Sequence, residues 1–356
     1  MFDKHALIVG ASGIVGGNLA RHLLEEGSWA ITGISRNPRR YPSAVKSVGL
    51  DVLDAKATAQ ALGQIRPTHV FFCTWTRMKT EAENCQINGA MVRNVLEAFV
   101  ACGAPLKHVA LVTGTKHYLG PFELYARNKP DTPFREDQPR LPGENFYYVQ
   151  EDILFDYAAR QGFSWSVHRP HTIVGYALGN AMNLGVTLAC YATICAAADR
   201  PFIFPGSPTQ YSCLTDVTDA RLLARHLSWA STSSAAHNEA FNVVNGDVFR
   251  WQRLWSAIAQ YFDLEAAPYP GQTTPLQAQL ADAGPVWDEI VAKNGLQPND
   301  LDRLAPAWHT DADLSRPIEC VNDMAKSRRL GFLDYQDSEW SFFDLFDQLR
   351  QERVIP

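Results

Sequence analysis

The chain has no CxxC pair, no HExxH motif, no basic stripe and no apolar run of the roughly 20 residues that a bilayer demands. The longest apolar stretch, around Ala181–Ala198, is broken by Asn183, Gly185 and Thr187. The seven cysteines (Cys73, Cys85, Cys102, Cys190, Cys195, Cys213, Cys320) are odd in number and scattered. They read as reduced thiols of a cytoplasmic protein, without a disulfide framework. Structural zinc lacks its ligand spacing. The segment Met1–His5 has no signal-peptide layout and leads straight into a strand. A net charge of −6 without a basic cluster argues against a nucleic-acid partner. What is present is globular material: 356 residues, 46% hydrophobic and 20% charged. That length suggests two domains, or one with a large extension.

The first half alternates strands and helices. Apolar runs at His5–Gly10, Trp29–Ser35, Val48–Val52, His69–Thr74, His108–Gly114 and Trp165–Arg169 read as strands. Helical spacing appears at Gly16–Glu26 and Gln86–Ala101, and again from Asn145 to Gln161, with Gly162 as a stop. Short continuous apolar strands between helices predict an α/β fold: a doubly wound parallel sheet of Rossmann type. Between Tyr118 and Glu144 the prolines 121, 130, 133, 139 and 142 forbid a long helix, so this is an extended excursion. Helices near 181–198, 217–230, 250–262, 286–294 and 340–352 predict a smaller lobe over the carboxyl ends of the sheet. The expected division is 1–175 for the nucleotide-binding domain and 176–356 for a mostly helical substrate lobe, with some segments returning to the sheet.

Gly10, Gly13 and Gly16 form GxxGxxG in the first strand-to-helix turn. Glycines there let the backbone approach a pyrophosphate that rests on the helix N-terminus. Ser12, Ile14 and Val15 belong to the same turn. The second strand ends Ser35-Arg36-Asn37-Pro38-Arg39-Arg40, without the acidic residue that would favour NAD. Arginine suits a 2′-phosphate, and Arg36 stands nearest the strand end, so NADPH is the expected cofactor. Asp51, followed by Val52, is placed to accept from the adenine amino group or to cap a turn. Thr74 and Trp75 end the fourth strand and should border the cofactor. Asn88, on the next helix, is placed to tie the surrounding loops.

Tyr125-Ala-Arg-Asn-Lys129 is the literal Tyr-x-x-x-Lys of short-chain reductases. Pro130 stops any helix at Lys129, so the two side chains lack a shared helical face. The helix that enters the sixth strand begins Asn145-Phe146-Tyr147-Tyr148, but Glu151 stands four residues after Tyr147 where a lysine is wanted. A cation is available elsewhere. Lys116 lies just past the fifth strand, over the carboxyl edge of the sheet.

The stretches T-G-T-K-H-Y-L-G-P-F-E (Thr113–Glu123), N-F-Y-Y-V-Q-E-D-I (Asn145–Ile153), V-H-R-P (Val167–Pro170), A-F-N-V-V-N-G-D-V-F-R-W (Ala240–Trp251) and V-W-D-E-I-V-A-K-N-G (Val286–Gly295) resemble the progesterone 5β-reductase/iridoid synthase-like enone reductases. These are an atypical short-chain dehydrogenase group, and the resemblance covers essentially the whole chain. It implies 1,4-reduction of an activated C=C by NADPH, with the catalytic lysine at Lys116 and the catalytic tyrosine at Tyr147, the alternative being Tyr148. His171 stands where the family often has glycine. The resemblance also implies that Pro170, Ile173 and Val174 meet the nicotinamide carboxamide, with Thr113 beside them.

Hydride addition to the β-carbon of an enone or enal places negative charge on the carbonyl oxygen, which a tyrosine hydroxyl near an ammonium would stabilise. Substrate walls should be apolar, with Trp75, Met182, Tyr191, and Phe342 or Phe343 as candidates. The expected partner is a small apolar enone or enal, with a homodimer as one assembly the reading allows. Two other functions fit the scaffold: an oxidoreductase or sugar-nucleotide epimerase using Tyr125 and Lys129, and a non-catalytic NADP(H) sensor.

Overall fold

Strands buried on both faces need helices on both faces, and a computed structural model of the chain, described for residues 3–38, 44–121 and 131–356, shows how they are supplied. In chain order the elements are β1 (Lys4–Val9), α1 (Ile14–Glu26), β2 (Trp29–Ser35), β3 (Val45–Gly49), α2 (Ala55–Leu62), β4 (His69–Phe72), α3 (Glu81–Cys102), β5 (His108–Val112), α4 (Lys116–Leu119), α5 (Phe146–Gln161) and β6 (Ser164–Pro170). Then follow β7 (Ile173–Val174), α6 (Leu184–Ala198), α7 (Pro208–Ser212), β8 (Thr218–Asp219), α8 (Ala220–Thr232), β9 (Glu239–Val243) and α9 (Trp251–Tyr261). The chain closes with α10 (Leu276–Gln279), α11 (Gly284–Asn294), α12 (Leu301–Leu304), α13 (Ala307–Leu314), α14 (Ala325–Arg329) and α15 (Ser338–Gln351).

Seven strands form one sheet in the order β3-β2-β1-β4-β5-β6-β9, and every pairing is parallel. Alternation along β1 divides the core. Leu7 and Val9 join α2, α3 and α5 on one face, while Ala6 and Ile8 join α1 and α8 on the other. Phe71 and Phe72 repeat the division one strand over. Each of the larger side chains among them contributes about 1.5–3 kcal/mol by leaving water. A third core gathers α6, α9, α11 and α15.

The expected boundaries shift where local chemistry competes with apolar pattern. The third strand stops at Gly49, short of Val52, because Asp51 turns the chain: its Oδ1 accepts the Leu53 N–H at 3.0 Å. Helix α3 begins five residues earlier than apolar spacing alone suggests. A capping box starts it, with the Thr80 hydroxyl accepting from Glu83 N and the Glu83 carboxylate accepting from Thr80 N. Helix α6 starts at Leu184 because Asn183 caps it, its Oδ1 accepting the Val186 N–H at 3.2 Å. Gly162 does end α5, with φ +78°. The seventh strand, β9, comes from the second half of the chain, where the apolar pattern singled out only helices.

Candidate active site

A cleft of about 790 Å³ runs along the carboxyl edge of the sheet. That lies within the range of small-molecule sites. At one end the chain turns from β1 into α1. Gly10 has φ +91°, and a β-carbon on it would come 2.7 Å from Thr74 Cβ. Helix α1 begins at Gly13 with no side-chain cap and no acidic residue in its first turn. Its first N–H groups therefore remain for an anion. Gly10, Ser12, Gly13, Ile14 and Val15 line the cleft. Gly16 does not. A β-carbon there would meet the Gly10 carbonyl at 2.4 Å, so this glycine lets the helix pack against the turn.

Ser35, Arg36, Asp51 and Val52 line the same end. Arg36 is exposed, and Asp51 also makes the turn described above. Arg39 and Arg40 lie outside the described residues. These observations fit a dinucleotide: an uncapped helix start, a close-packed glycine turn and a cationic side chain at the end of β2. Among the described residues no group of three or more His, Cys, Asp or Glu side chains could hold a metal, and no helix is long and apolar enough to cross a membrane.

Thr74, Trp75, Thr113, Lys116, Tyr147, Pro170, Ile173 and Met182 also line the cleft. Trp75 stacks on Phe146, their rings 5.1 Å apart. Asn88 holds the Trp75 loop as expected: its Oδ1 accepts the Thr76 N–H at 2.8 Å, and its Nδ2 donates to the Thr76 carbonyl at 2.9 Å. The two tyrosines at the start of α5 part company. Tyr147 faces the cleft, whereas the Tyr148 hydroxyl donates to the His117 carbonyl at 2.6 Å and accepts the Leu141 N–H at 3.0 Å. Burial, and behind it the Glu81 carboxylate, push the Tyr147 phenol far above the ordinary tyrosine value. The pair Tyr125 and Lys129 lies outside the described residues.

Besides Gly16, four expected site residues do not line the cleft: Tyr191, Phe342, Phe343 and Val174. Tyr191 sits inside the helical core and its hydroxyl donates to Gln279 Oε1 at 2.6 Å. Phe342 is wholly buried against Trp251 in the same core. An apolar residue on a helix gives no sign of whether it faces a core or a pocket, and here the core claims both. Phe343 packs against that core too. Val174 lies in the short pairing of β7 with β8, and Ile173 takes the lining position.

A family model for the PRISE-like Rossmann-fold domain matches residues 46–356. An (S)-8-oxocitronellyl enol synthase from Nepeta cataria is 41% identical over 366 residues, spanning 100% of this chain and 94% of that protein. The 3-oxo-Delta(4,5)-steroid 5-beta-reductase of Arabidopsis thaliana is 39% identical over 366 residues, again 100% of this chain and 94% of that protein. This chain belongs to the PRISE-like family. Among solved structures, the UDP-glucose 4-epimerase of Thermotoga maritima superposes with a TM-score of 0.67 at 13% identity, covering 98% of this chain and 99% of that one. The Bordetella bronchiseptica enzyme WbmH, solved with NAD+, gives 0.66 at 17% identity, covering 98% and 99%. At such identities these two show the fold alone.

In this PRISE-like chain, side chains that the sequence reading passed over complete the site. Glu81, in the first turn of α3, places Oε2 2.6 Å from Lys116 Nζ, and its Oε1 accepts the Phe146 N–H at 2.9 Å. Asn145, the cap of α5, accepts the Tyr147 N–H at 3.1 Å and donates to the Lys116 carbonyl at 3.1 Å. The Thr80-x-x-Glu83 capping box was the available signal for Glu81, since it places that residue on a helix start. The lining also includes polar groups: His171, Arg303, His309, Asp313 and Arg316. Buried His171 bonds Asp216 at 2.7 Å. Burial and Arg316 oppose its charge, but the bond to Asp216 outweighs them and raises it to about 9. The walls are thus less uniformly apolar than expected. Glu151, the residue that stands where a lysine was wanted, is buried and held by Arg140 at 2.8 Å and Arg169 at 3.6 Å.

Proposed function

We propose that this protein catalyses NADPH-dependent 1,4-reduction of the activated C=C bond of enones and enals. Two relatives near 40% identity along the full length support this reading through their names, an enol synthase and a steroid 5-beta-reductase. The observation that carries it is that a phenol, Tyr147, and an ammonium, Lys116, contributed by separate segments, both line one cleft.

The uncapped start of α1 and the glycine turn would hold the pyrophosphate, Arg36 the 2′-phosphate, and Thr113, Pro170 and Ile173 the nicotinamide end. When bound, the reduced cofactor supplies hydride to the β-carbon of the substrate. Lys116 and Tyr147 act on the other end of the conjugated system. As charge gathers on the carbonyl oxygen, the Tyr147 hydroxyl donates a hydrogen bond to it from a fixed position. A donor that needs no reorganisation is worth roughly 10²–10³ in rate. The enolate then takes its carbon proton from water, so no further acid is required. Trp75, Phe146, Leu178 and Met182 supply the apolar surface against which a mostly hydrocarbon substrate rests.

The test is direct. Purified protein with NADPH and 2-cyclohexen-1-one, then a panel of cyclic enones and enals, should consume absorbance at 340 nm and yield the saturated ketone or aldehyde. Tight NADPH binding without turnover across the panel would replace this reading with that of a sensor.

A further inference from the structure

The Lys116–Glu81 pair differs from an ordinary surface ion pair. The lysine side chain is 9% exposed and the glutamate 15%, with 2.6 Å between charges. Exposed pairs contribute little, but a shielded pair that loses one partner leaves a charge uncompensated. Glu81 also does more than neutralise. Its second oxygen accepts the N–H of Phe146, the first helical residue of α5 and the neighbour of Tyr147. That N–H is one of those a helix cannot satisfy internally. The lysine is tied to the same place from its backbone, through the Asn145 amide on its carbonyl. Its ammonium lies 4.5 Å from the centre of the Phe146 ring. One carboxylate thus joins the starts of α3 and α5 to the cation of α4.

We propose that Glu81 is a positioning residue of the reduction: it holds the Lys116 ammonium and the first turn of α5 in fixed relation, so that Tyr147 meets the substrate oxygen as a neutral hydrogen-bond donor. This rests on the enone-reductase reading of the cleft. A lone ammonium beside a buried phenol favours the phenolate, which would repel an oxygen gaining negative charge. A carboxylate bound to that ammonium removes the bias. The other titratable groups of this corner act in the same sense or lie behind it. The Cys85 thiol, on α3, is pushed up by burial, then by Glu81 and Glu144, with Lys116 opposing. His171 follows Pro170 across the cleft, and its charge is matched by Asp216.

Glu81→Gln removes the charge and keeps the shape. Expected for 2-cyclohexen-1-one are a kcat lowered by up to roughly 10²-fold, the cost of ångström-scale misplacement, and a KM changed far less. The alkaline fall of kcat should appear at lower pH than in the wild type. Glu81→Asp returns the charge without the reach, so it should restore the wild-type alkaline limb but not the full kcat. Tyrosine labelled at Cζ and followed by NMR, with the Tyr147 signal assigned by its absence in Tyr147→Phe, should show that phenol ionising at lower pH in Glu81→Gln. A wild-type kcat and alkaline limb in Glu81→Gln overturns the proposal. So does a lowered kcat with an unmoved Tyr147 titration, which would make Glu81 a structural support only. If Glu81→Gln does not fold, the kcat of Glu81→Asp decides: reduced supports, unchanged overturns. If no enone is reduced by the wild type, the reading of the cleft fails, and identical Tyr147 titrations in the two proteins would still sink the role of Glu81 on their own.

Discussion

The Tyr147 hydroxyl lies 3.2 Å from the point where a β-carbon on Gly114 would stand, with the Pro170 carbonyl 3.3 Å from the same point. Gly114 is therefore the floor on which the phenol rests. Gly114→Ala should displace the hydroxyl by a few tenths of an ångström and lower kcat by roughly tenfold, because catalysis depends steeply on placement. Folding stability should change by no more than about 1 kcal/mol. A kcat equal to wild type, with the alanine confirmed, would mean that the phenol does not need its present position.

The neighbouring tyrosines should behave oppositely. Tyr147→Phe and Lys116→Met should each lose roughly 10²–10³ in kcat, as expected when an oxyanion donor or its support is removed. Tyr148→Phe should keep its turnover and lose roughly 1 kcal/mol of stability, the typical net value of a hydrogen bond. The Tyr148 hydroxyl makes two such bonds, to His117 and Leu141. Steady-state kinetics together with urea unfolding on the three variants separates the roles. Loss of turnover in Tyr148→Phe alone would transfer the catalytic assignment to that residue.

Cofactor choice should depend on Arg36. Replacing it with alanine should raise KM for NADPH by roughly 10- to 150-fold, the equivalent of about 1.5–3 kcal/mol for a charged hydrogen bond. KM for NADH should stay nearly unchanged. Equal effects on both cofactors would show that the side chain acts on something other than the 2′-phosphate.

Stability should peak near neutral pH. His108, Ser166, His168, His226 and Ser327 form a buried hydrogen-bonded chain, with contacts of 2.8, 2.8, 3.0 and 3.0 Å in that order. Burial holds all three rings neutral, His226 down to about 3 and the other two well below 6.5. Below pH 6.5 the unfolded chain takes up protons that the folded one refuses, so stability falls as the pH drops from there. His171 has the opposite sign. Its value is raised to about 9, so its contribution is complete below 6.5 and is lost as the pH rises through 9. Urea midpoints measured between pH 5 and 10 should trace a maximum near 7. A midpoint that does not fall between pH 7 and 5 would refute the histidine chain.

The sheet was legible in the sequence because parallel strands buried on both faces are written as unbroken apolar runs. The glycine turn after β1 was legible because Gly10 needs a positive φ that few other residues tolerate. Tyr147 and Lys116 were named from the resemblance, because the literal Tyr-x-x-x-Lys falls on Tyr125 and Lys129; both named residues line the cleft. Glu81 was missed for a physical reason. An ion pair made across 35 positions leaves no local trace, and an acidic residue in the first turn of a helix is common enough to pass unnoticed. Tyr191 and Phe342 were misplaced because lining a pocket and filling a core need the same side chains, and only the third dimension distinguishes them.

The strand β9 pairs with β6 along Ser166–Pro170, immediately beside the backbone that leads into Pro170 and His171. One shoulder of the cleft is therefore braced by a segment that emerges late from the ribosome. A fragment ending after β6 would expose an open row of amides and carbonyls where a finished enzyme has a neighbour. Chimaeras that exchange the second half between relatives should therefore carry β9 with its own β6, since cutting between them divides a single mechanical unit.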